Sequence, residues 1–166
     1  MNYIGGGSTQ TNPVYKLPAN LLEGVTGKQF LVNNQYDYDE VMSVVEAACK
    51  EVLRRTGGTG FPIVCYGYSS MISMIKRGVE RAGATALIYH GDSKECCSDA
   101  EVEEWLKRRR SRKEKRCLIA DGFGSRGWEA SHVMVVDLYG LGPMENLVMR
   151  TVGFCALVKK KLNQVE

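Results

Sequence analysis

The sequence lacks most features of a membrane, disulfide-stabilised or metal-binding protein. No apolar run approaches the roughly 20 residues of a membrane helix, and residues 1–13 lack the charged start and apolar middle of a signal peptide. The 166 residues include two histidines and no Cys-x-x-Cys pair, so no metal site is expected. We therefore expect no membrane partner and a location in the cytosol or nucleus.

Cysteine is present, but its pattern is typical of buried thiols and not of a disulfide scaffold. Four of the six cysteines fall inside apolar elements, where a thiol behaves as a small hydrophobic group: Cys49, Cys65, Cys117 and Cys155. Cys96 and Cys97 form an adjacent pair in a polar stretch. We expect reduced thiols, as in an intracellular protein.

Positive charge is concentrated in one segment, which we call the basic band. The chain carries a net charge of +3, yet residues 107–116 (KRRRSRKEKR) hold eight bases and one acid, or +7. The remaining 14 bases and 18 acids give −4. Arginine dominates the first half of the band, as phosphate recognition favours. We predict nucleic-acid contact, to RNA or DNA, by Lys107, Arg108, Arg109, Arg110, Arg112, Lys113 and Arg116. The alternatives for this segment are a solvated helix end and a nuclear-import signal.

Hydrophobic periodicity predicts one α/β domain over residues 19–166, after a flexible tail or linker over 1–18. Short apolar runs predict strands at 29–32, 61–66, 85–89, 117–120, 132–136 and 154–158. Three- and four-residue spacing predicts helices at 39–55 and 71–81, after a capping box at Ser98, and after Pro143 as far as Thr151. This alternation predicts a mostly parallel sheet of five or six strands with helices on both faces.

The loop between the fourth and fifth strands is the first candidate for a site. It combines acids, glycines, a serine and an arginine: Asp121, Gly122, Gly124, Ser125, Arg126, Gly127 and Glu129. Open α/β sheets bind ligands at the carboxyl ends of their strands. The alternative is a glycine-rich turn between two core strands, with Trp128 packing against them.

The same residues resemble a known motif. Residues 121–137 are similar to motif V of nucleic-acid helicases, with Ser125-Arg126-Gly127 close to the superfamily-two form and Arg126-Gly127-Trp128-Glu129-Ala130 close to the superfamily-one form. Tyr89-His90-Gly91-Asp92, a charged helix and Leu118-Ile119-Ala120-Asp121 precede the loop in the order of the second, C-terminal RecA-like domain of helicases. The resemblance spans about residues 61–159. It implies a RecA-like, three-layer fold.

The resemblance also implies a cofactor-binding role for part of the loop. The residues concerned are Asp121, Gly124, Ser125, Arg126, Gly127 and Glu129, which would contact nucleotide, nucleic-acid backbone or a partner domain. In the motif VI region, Arg150 is the candidate for the arginine that reaches the γ-phosphate. A superfamily-one alignment instead puts Phe154 at that position. A solvated arginine near a helix C-terminus is the alternative for Arg150.

The nucleotide-holding motifs of a first RecA-like domain are missing. Residues 24–29 (GVTGKQ) have glycines three apart where a Walker A loop needs five, and Gln29 replaces its Ser or Thr. Residues 37–40 (DYDE) follow no apolar strand, unlike a Walker B pair. We expect no cofactor and no enzymatic activity in the isolated domain. ATP and magnesium would bind only with a first RecA-like domain as partner.

A third candidate site lies at residues 67–71 (GYSSM), which resemble the nucleophile elbow of hydrolases. Met71 replaces the last glycine of that motif, and the only histidines are His90 and His132. Ser69 therefore has three interpretations: helix cap, nucleic-acid contact or catalytic nucleophile.

Taken together, these patterns predict a degenerate helicase-like domain that serves as a non-catalytic binding or interaction module of a larger protein. One rival is the second half of a working ATP-dependent helicase whose first domain lies elsewhere. The other is a small serine hydrolase.

Overall fold

Six strands form one sheet in which all neighbouring pairs are parallel. The computed structural model describes residues 26–67, 69–89, 96–108, 115–122, 125, 130–140 and 151–162. The elements in chain order are β1 (Thr26–Val32), α1 (Tyr38–Thr56), β2 (Pro62–Tyr66), α2 (Ser69–Arg81), β3 (Thr85–Tyr89), α3 (Asp99–Arg108), β4 (Arg116–Asp121), β5 (Ala130–Asp137) and β6 (Thr151–Lys160).

The spatial order of the strands is β1-β6-β5-β2-β4-β3. After β2 the chain builds β3 and β4 on one side, and then crosses β2 to build β5 and β6 on the other. Helices α1 and α2 contact each other on one face of the sheet, whereas α3 packs on the opposite face against β4. This distribution fits the right-handed crossovers of parallel strands.

Local sequence signals fix both ends of α1. The Asp37 side chain caps its start by accepting a hydrogen bond from the Glu40 amide at 3.2 Å. The Glu40 carboxylate in turn accepts hydrogen bonds from the amides of Asn33 and Asn34, which ties the helix to the end of β1. At the other end Gly57 has φ 73°, a left-handed conformation that suits glycine and stops the helix.

The core divides between the two faces because side chains alternate along each strand. The larger cluster lies under α1 and α2, and includes Cys49, Ile63, Ile75, Ile119 and Met134. On the opposite face Val102 and Trp105 of α3 cover Leu118 of β4. A further apolar cluster on that face joins β2, β5 and β6 through Val64, Val133, Val135, Cys155 and Leu157.

The predicted α/β fold class, one domain with a sheet of five or six strands and helices on both faces, is confirmed, with a sheet of six strands that is all parallel in the described residues. The predicted burial of Cys49, Cys65, Cys117 and Cys155 is also confirmed, and Cys96 is exposed. One boundary prediction is wrong: Thr151 begins β6 and does not belong to a helix. The physical reason is pairing with β5, since Thr151 aligns with Ala130 and Gly153 packs on the Ser131 carbonyl. The tail over 1–18 and the start of the helix after Pro143 lie outside the described residues.

The turn between α1 and β2 passes very close to β4, which makes Gly60 irreplaceable. A Cβ atom at Gly60 would overlap the Arg116 carbonyl oxygen. We expect Gly60→Ala to lower the free energy of unfolding by about 3 kcal/mol, the upper part of the range for overpacking. Urea denaturation followed by circular dichroism measures the change.

Gly57→Ala provides the matched control from the same turn. A Cβ atom at Gly57 meets no atom within 4 Å, so its substitution costs only the left-handed conformation, about 1 kcal/mol. Equal losses for the two variants would show that the close approach of Gly60 to β4 is absent in solution.

Candidate functional site

The carboxyl end of β2 is the point at which the strand order reverses. β4 lies on one side of β2 and β5 on the other, and the register aligns Asp121 with Cys65 and Asp137 with Tyr66. Crevices of this kind hold the ligands of open α/β sheets. The predicted position of the candidate loop is confirmed for its described start, because β4 ends between Cys65 of β2 and Tyr89 of β3.

Two aspartates from neighbouring strands flank the buried Cys65 thiol. Burial, followed by the charges of Asp137 and Asp121, raises the pKa of Cys65 to about 12. The thiol therefore stays protonated at neutral pH and is a packing group, not a nucleophile. Asp137 is itself 8% exposed, so this end of the sheet holds a nearly buried carboxylate that the sequence analysis did not select.

The candidate loop leaves the sheet over the ring of Tyr66. A Cβ atom at Gly122 would lie 2.6 Å from Cε1 of Tyr66, so only glycine allows this contact. Ser125 then turns the loop back: its amide donates to the Asp121 carbonyl at 3.0 Å, and its hydroxyl donates to the Gly122 carbonyl at 3.3 Å. Ser125 is fully buried, which favours a role in shaping the loop over direct contact with a ligand.

Most of the predicted cofactor-binding residues cannot be compared with the structure. Gly124, Arg126, Gly127, Glu129 and Arg150 lie outside the described residues, and their roles stay predictions. Asp121 is half-buried at the tip of β4, where a ligand at the crevice can reach it.

A cavity of about 540 Å³ opens beside this crevice, at the carboxyl ends of β5 and β6. Its polar lining comes from Gln35, Asp137, Tyr139, Lys159, Lys160 and Lys161. Tyr139 also contacts the exposed Tyr36, with ring centroids 6.3 Å apart. In the sequence, this cavity is indicated by the acid that ends β5 and by the three lysines at the end of β6 and just after it. These residues are distant along the chain, and only the strand order brings them together.

The two described ends of the basic band, at Lys107 and Arg108 and at Lys115 and Arg116, lie at the opposite end of the sheet. α3 runs back from the carboxyl end and stops at Arg108, and β4 starts at the amino end with Arg116. Lys107 is exposed. Arg109, Arg110, Arg112 and Lys113 lie outside the described residues, as do the side chains of Arg108 and Ser69. Arg116, the last residue of the band, is five residues from Asp121 along β4, a distance of about 17 Å at roughly 3.3 Å per residue.

The same geometry separates Ser69 from the other predicted groups. Ser69 begins α2 after the carboxyl end of β2, so it does not share a surface with the basic band. His132 lies near the start of β5, at the amino end, and its Nδ1 forms a hydrogen bond with the Ser131 hydroxyl. His132 therefore cannot act as a base for Ser69, and His90 lies outside the described residues. Ser69 is the first residue of α2, and its side chain lies outside the described part of the structure, so its helix-cap interpretation stays a prediction.

The described residues contain neither a metal site nor a membrane helix. No cluster of three or more His, Cys, Asp or Glu side chains there has the arrangement that a metal ion requires. Within the same ranges, no helix combines the length and apolar character required to cross a membrane.

The buried turn at Ser125 can be tested by removing its hydroxyl. Ser125→Ala should lower the free energy of unfolding by about 1 kcal/mol, because the Gly122 carbonyl loses a buried hydrogen bond. Ser43→Ala is the control, since Ser43 is exposed within α1 and alanine there should be neutral or slightly stabilising. Thermal unfolding of both variants gives the comparison, and an unchanged Ser125→Ala protein would contradict the described turn.

Comparison of the sequence with protein-family models and with curated proteins gives no match. Among solved structures, the chain is similar to the C-terminal domain of the DEAD-box protein Dbp5, with a TM-score of 0.48 and 16% sequence identity. The similarity covers 83% of this chain and 78% of that one. Identity and TM-score are both too low for any role of that protein to be transferred to this chain.

Proposed function

We propose that this chain is a helicase-like, RecA-like domain that serves as a non-catalytic binding module of a larger protein. In this proposal the amino end of the sheet contacts RNA or DNA through the basic band. The carboxyl end, with the loop that starts at Asp121, contacts a first RecA-like domain or another domain of the same protein. ATP and magnesium would bind only in the presence of such a first domain.

The observation that carries the proposal is the concentration of positive charge in the basic band, whose described ends lie at the amino end of the sheet. The band carries +7 on a body of −4, and the end of α3 and the start of β4 bring it to the amino end. Eight bases within ten residues produce a field that attracts phosphates, whatever the sign of the rest of the surface. The carboxyl end has a mixed character, with the half-buried Asp121 at the tip of β4 and three lysines at the end of β6 and just beyond it, which suits a polar contact with another domain.

Binding to a labelled single-stranded oligonucleotide at two salt concentrations tests the nucleic-acid half of the proposal. If about four side chains touch phosphates, the logarithm of affinity should fall against the logarithm of salt concentration with a slope of roughly −3. Replacing Arg108, Arg109, Arg110 and Arg112 together by Gln should remove most of the binding and most of the slope. Binding should depend little on base sequence, because phosphate contacts carry no base information.

The control removes the same number of charges at a different place. Lys28, Lys159, Lys160 and Lys161 lie on β1 and β6 or just beyond β6, and their joint change to Gln should leave binding nearly unchanged. Loss of binding in the lysine variant but not in the arginine variant would move the nucleic acid to the carboxyl end and contradict the proposal. No binding at low salt would leave the band as a targeting signal or a solubilising surface.

A further inference from the structure

A second cavity, of about 470 Å³, opens at the amino end of the sheet, between the starts of β2 and β5. Its polar groups come from Arg55 and Thr56 at the end of α1, Thr59 in the following turn, and Ser131 and His132 at the start of β5. We call it the amino-end pocket. It lies far from the crevice at Asp121, because the strands between them run the full height of the sheet.

Arg55 is held in place before any ligand arrives. Its Nε donates to the Glu51 carboxylate at 2.7 Å, and its guanidinium stacks 4.0 Å from the centre of the Phe154 ring. Within the described part of the chain, neither terminal nitrogen of Arg55 donates a hydrogen bond. A guanidinium fixed in this way, with two free N–H₂ groups, is suited to a two-point contact with a phosphate.

The charge around Arg55 remains positive despite its acidic partner. Hydrogen bonds from Arg54 and Arg55 lower the pKa of Glu51 to about 2, so this carboxylate is ionised and offsets only one of the two arginines. Lys115, at the described end of the basic band, adds further charge at the rim, because its side-chain Cε lies close to the turn that contains Gly58. A strand held by the band therefore lies next to the opening of the pocket.

His132 supplies a neutral hydrogen-bonding group on the other side of the pocket. Its Nδ1 lies 2.9 Å from the Ser131 hydroxyl, and no partner of Nε2 is found among the described residues. Burial and the nearby charge of Arg55 both lower the pKa of His132, so the ring is neutral at pH 7. An anion bound between Arg55 and His132 would offset the charge of Arg55 and so raise the pKa of His132.

We infer that the amino-end pocket is a binding site for a phosphate monoester, held by the terminal nitrogens of Arg55 and by His132. The shared chemistry is a doubly charged phosphate with three free oxygens, as on a nucleotide, on inorganic phosphate or at the end of a nucleic-acid strand. We assign it to a strand end because Lys115, at the described end of the basic band, lies beside the pocket, and this part of the inference rests on the proposed function. The pocket would then distinguish a phosphorylated strand end from a hydroxyl end.

Inorganic phosphate tests the pocket without any nucleic acid. The chain has two histidines, so NMR titration of the imidazole protons resolves both, and the His132→Gln variant assigns them. Phosphate should raise the pKa of His132 and leave that of His90 unchanged. Equal behaviour of the two histidines would show that the anion does not enter the pocket, and would overturn the inference.

Three oligonucleotides of one sequence, with a 5′-phosphate, a 3′-phosphate or two hydroxyl ends, test the source of the phosphate. One of the phosphorylated strands should bind about tenfold tighter than the hydroxyl strand, the equivalent of one hydrogen bond to a charged group. Arg55→Lys keeps the charge but loses the two-point contact, so it should abolish the preference. Arg54→Lys is the matched control, because Arg54 bonds the same Glu51 carboxylate but does not line the pocket.

The outcomes separate the two proposals. Equal binding of all three strands would overturn the strand-end assignment and leave nucleic-acid binding by the band intact. Failure of every strand to bind, together with a phosphate-induced rise in the pKa of His132, would contradict the proposed function and retain a site for free phosphate or a mononucleotide. If Arg55→Lys still binds a phosphorylated strand more tightly than the hydroxyl strand, another group recognises the phosphate and the assignment to Arg55 is refuted.

Discussion

The backbone pairing of β2 with two strands that are distant in sequence is the constraint on which the rest of the structure depends. β2 bonds to β4 on one side and to β5 on the other, and its first four residues are buried. Because β4 and β5 are joined by only residues 122–129 and lie on opposite sides of β2, their connection has to cross that strand. The close contact of Gly122 with the Tyr66 ring marks the start of this crossing.

This arrangement gives the two ends of the sheet different chemistry. At the carboxyl end, strand tips place acids on either side of β2, and the nearby lysines belong to β6. At the amino end, α1 has Arg54 and Arg55 in its last turn, α3 ends at Arg108, and β4 begins with Arg116. Basic residues near a helix C-terminus also interact favourably with the helix dipole. The positive charge at this end of the sheet therefore stabilises the helices in addition to any contact with a ligand.

The sequence was sufficient to predict the class of the fold but not the grouping of its functional residues. Hydrophobic periodicity and the apolar setting of four cysteines are local signals, and both predicted the structure well. Strand order is not a local property. Arg116 and Asp121 are close in sequence, and they lie at opposite ends of the sheet only because β4 spans it. The sequence analysis therefore combined Ser69 and the basic band in one site, although the structure separates them.

The same reason explains the two cavities that the sequence analysis missed. Arg55 and His132 are 77 positions apart, and they meet only because α1 ends where β5 begins.

Thr151 was assigned to a helix because its spacing from earlier apolar residues is helical. Pairing with β5 overrides that preference, as tertiary contacts commonly do for short segments.

The pairing of β1 with β6 has a consequence for how the chain folds. Thr26 pairs with Phe154, so the first and last described strands are neighbours in the sheet. Contacts of such long sequence separation require closure of a large loop, which slows folding and delays completion of the sheet. During synthesis, β1 would remain without its neighbouring strand until β6 emerged from the ribosome. The part of α1 that packs on β6 would stay uncovered for the same time, whereas its contact with α2 joins segments that are already synthesised.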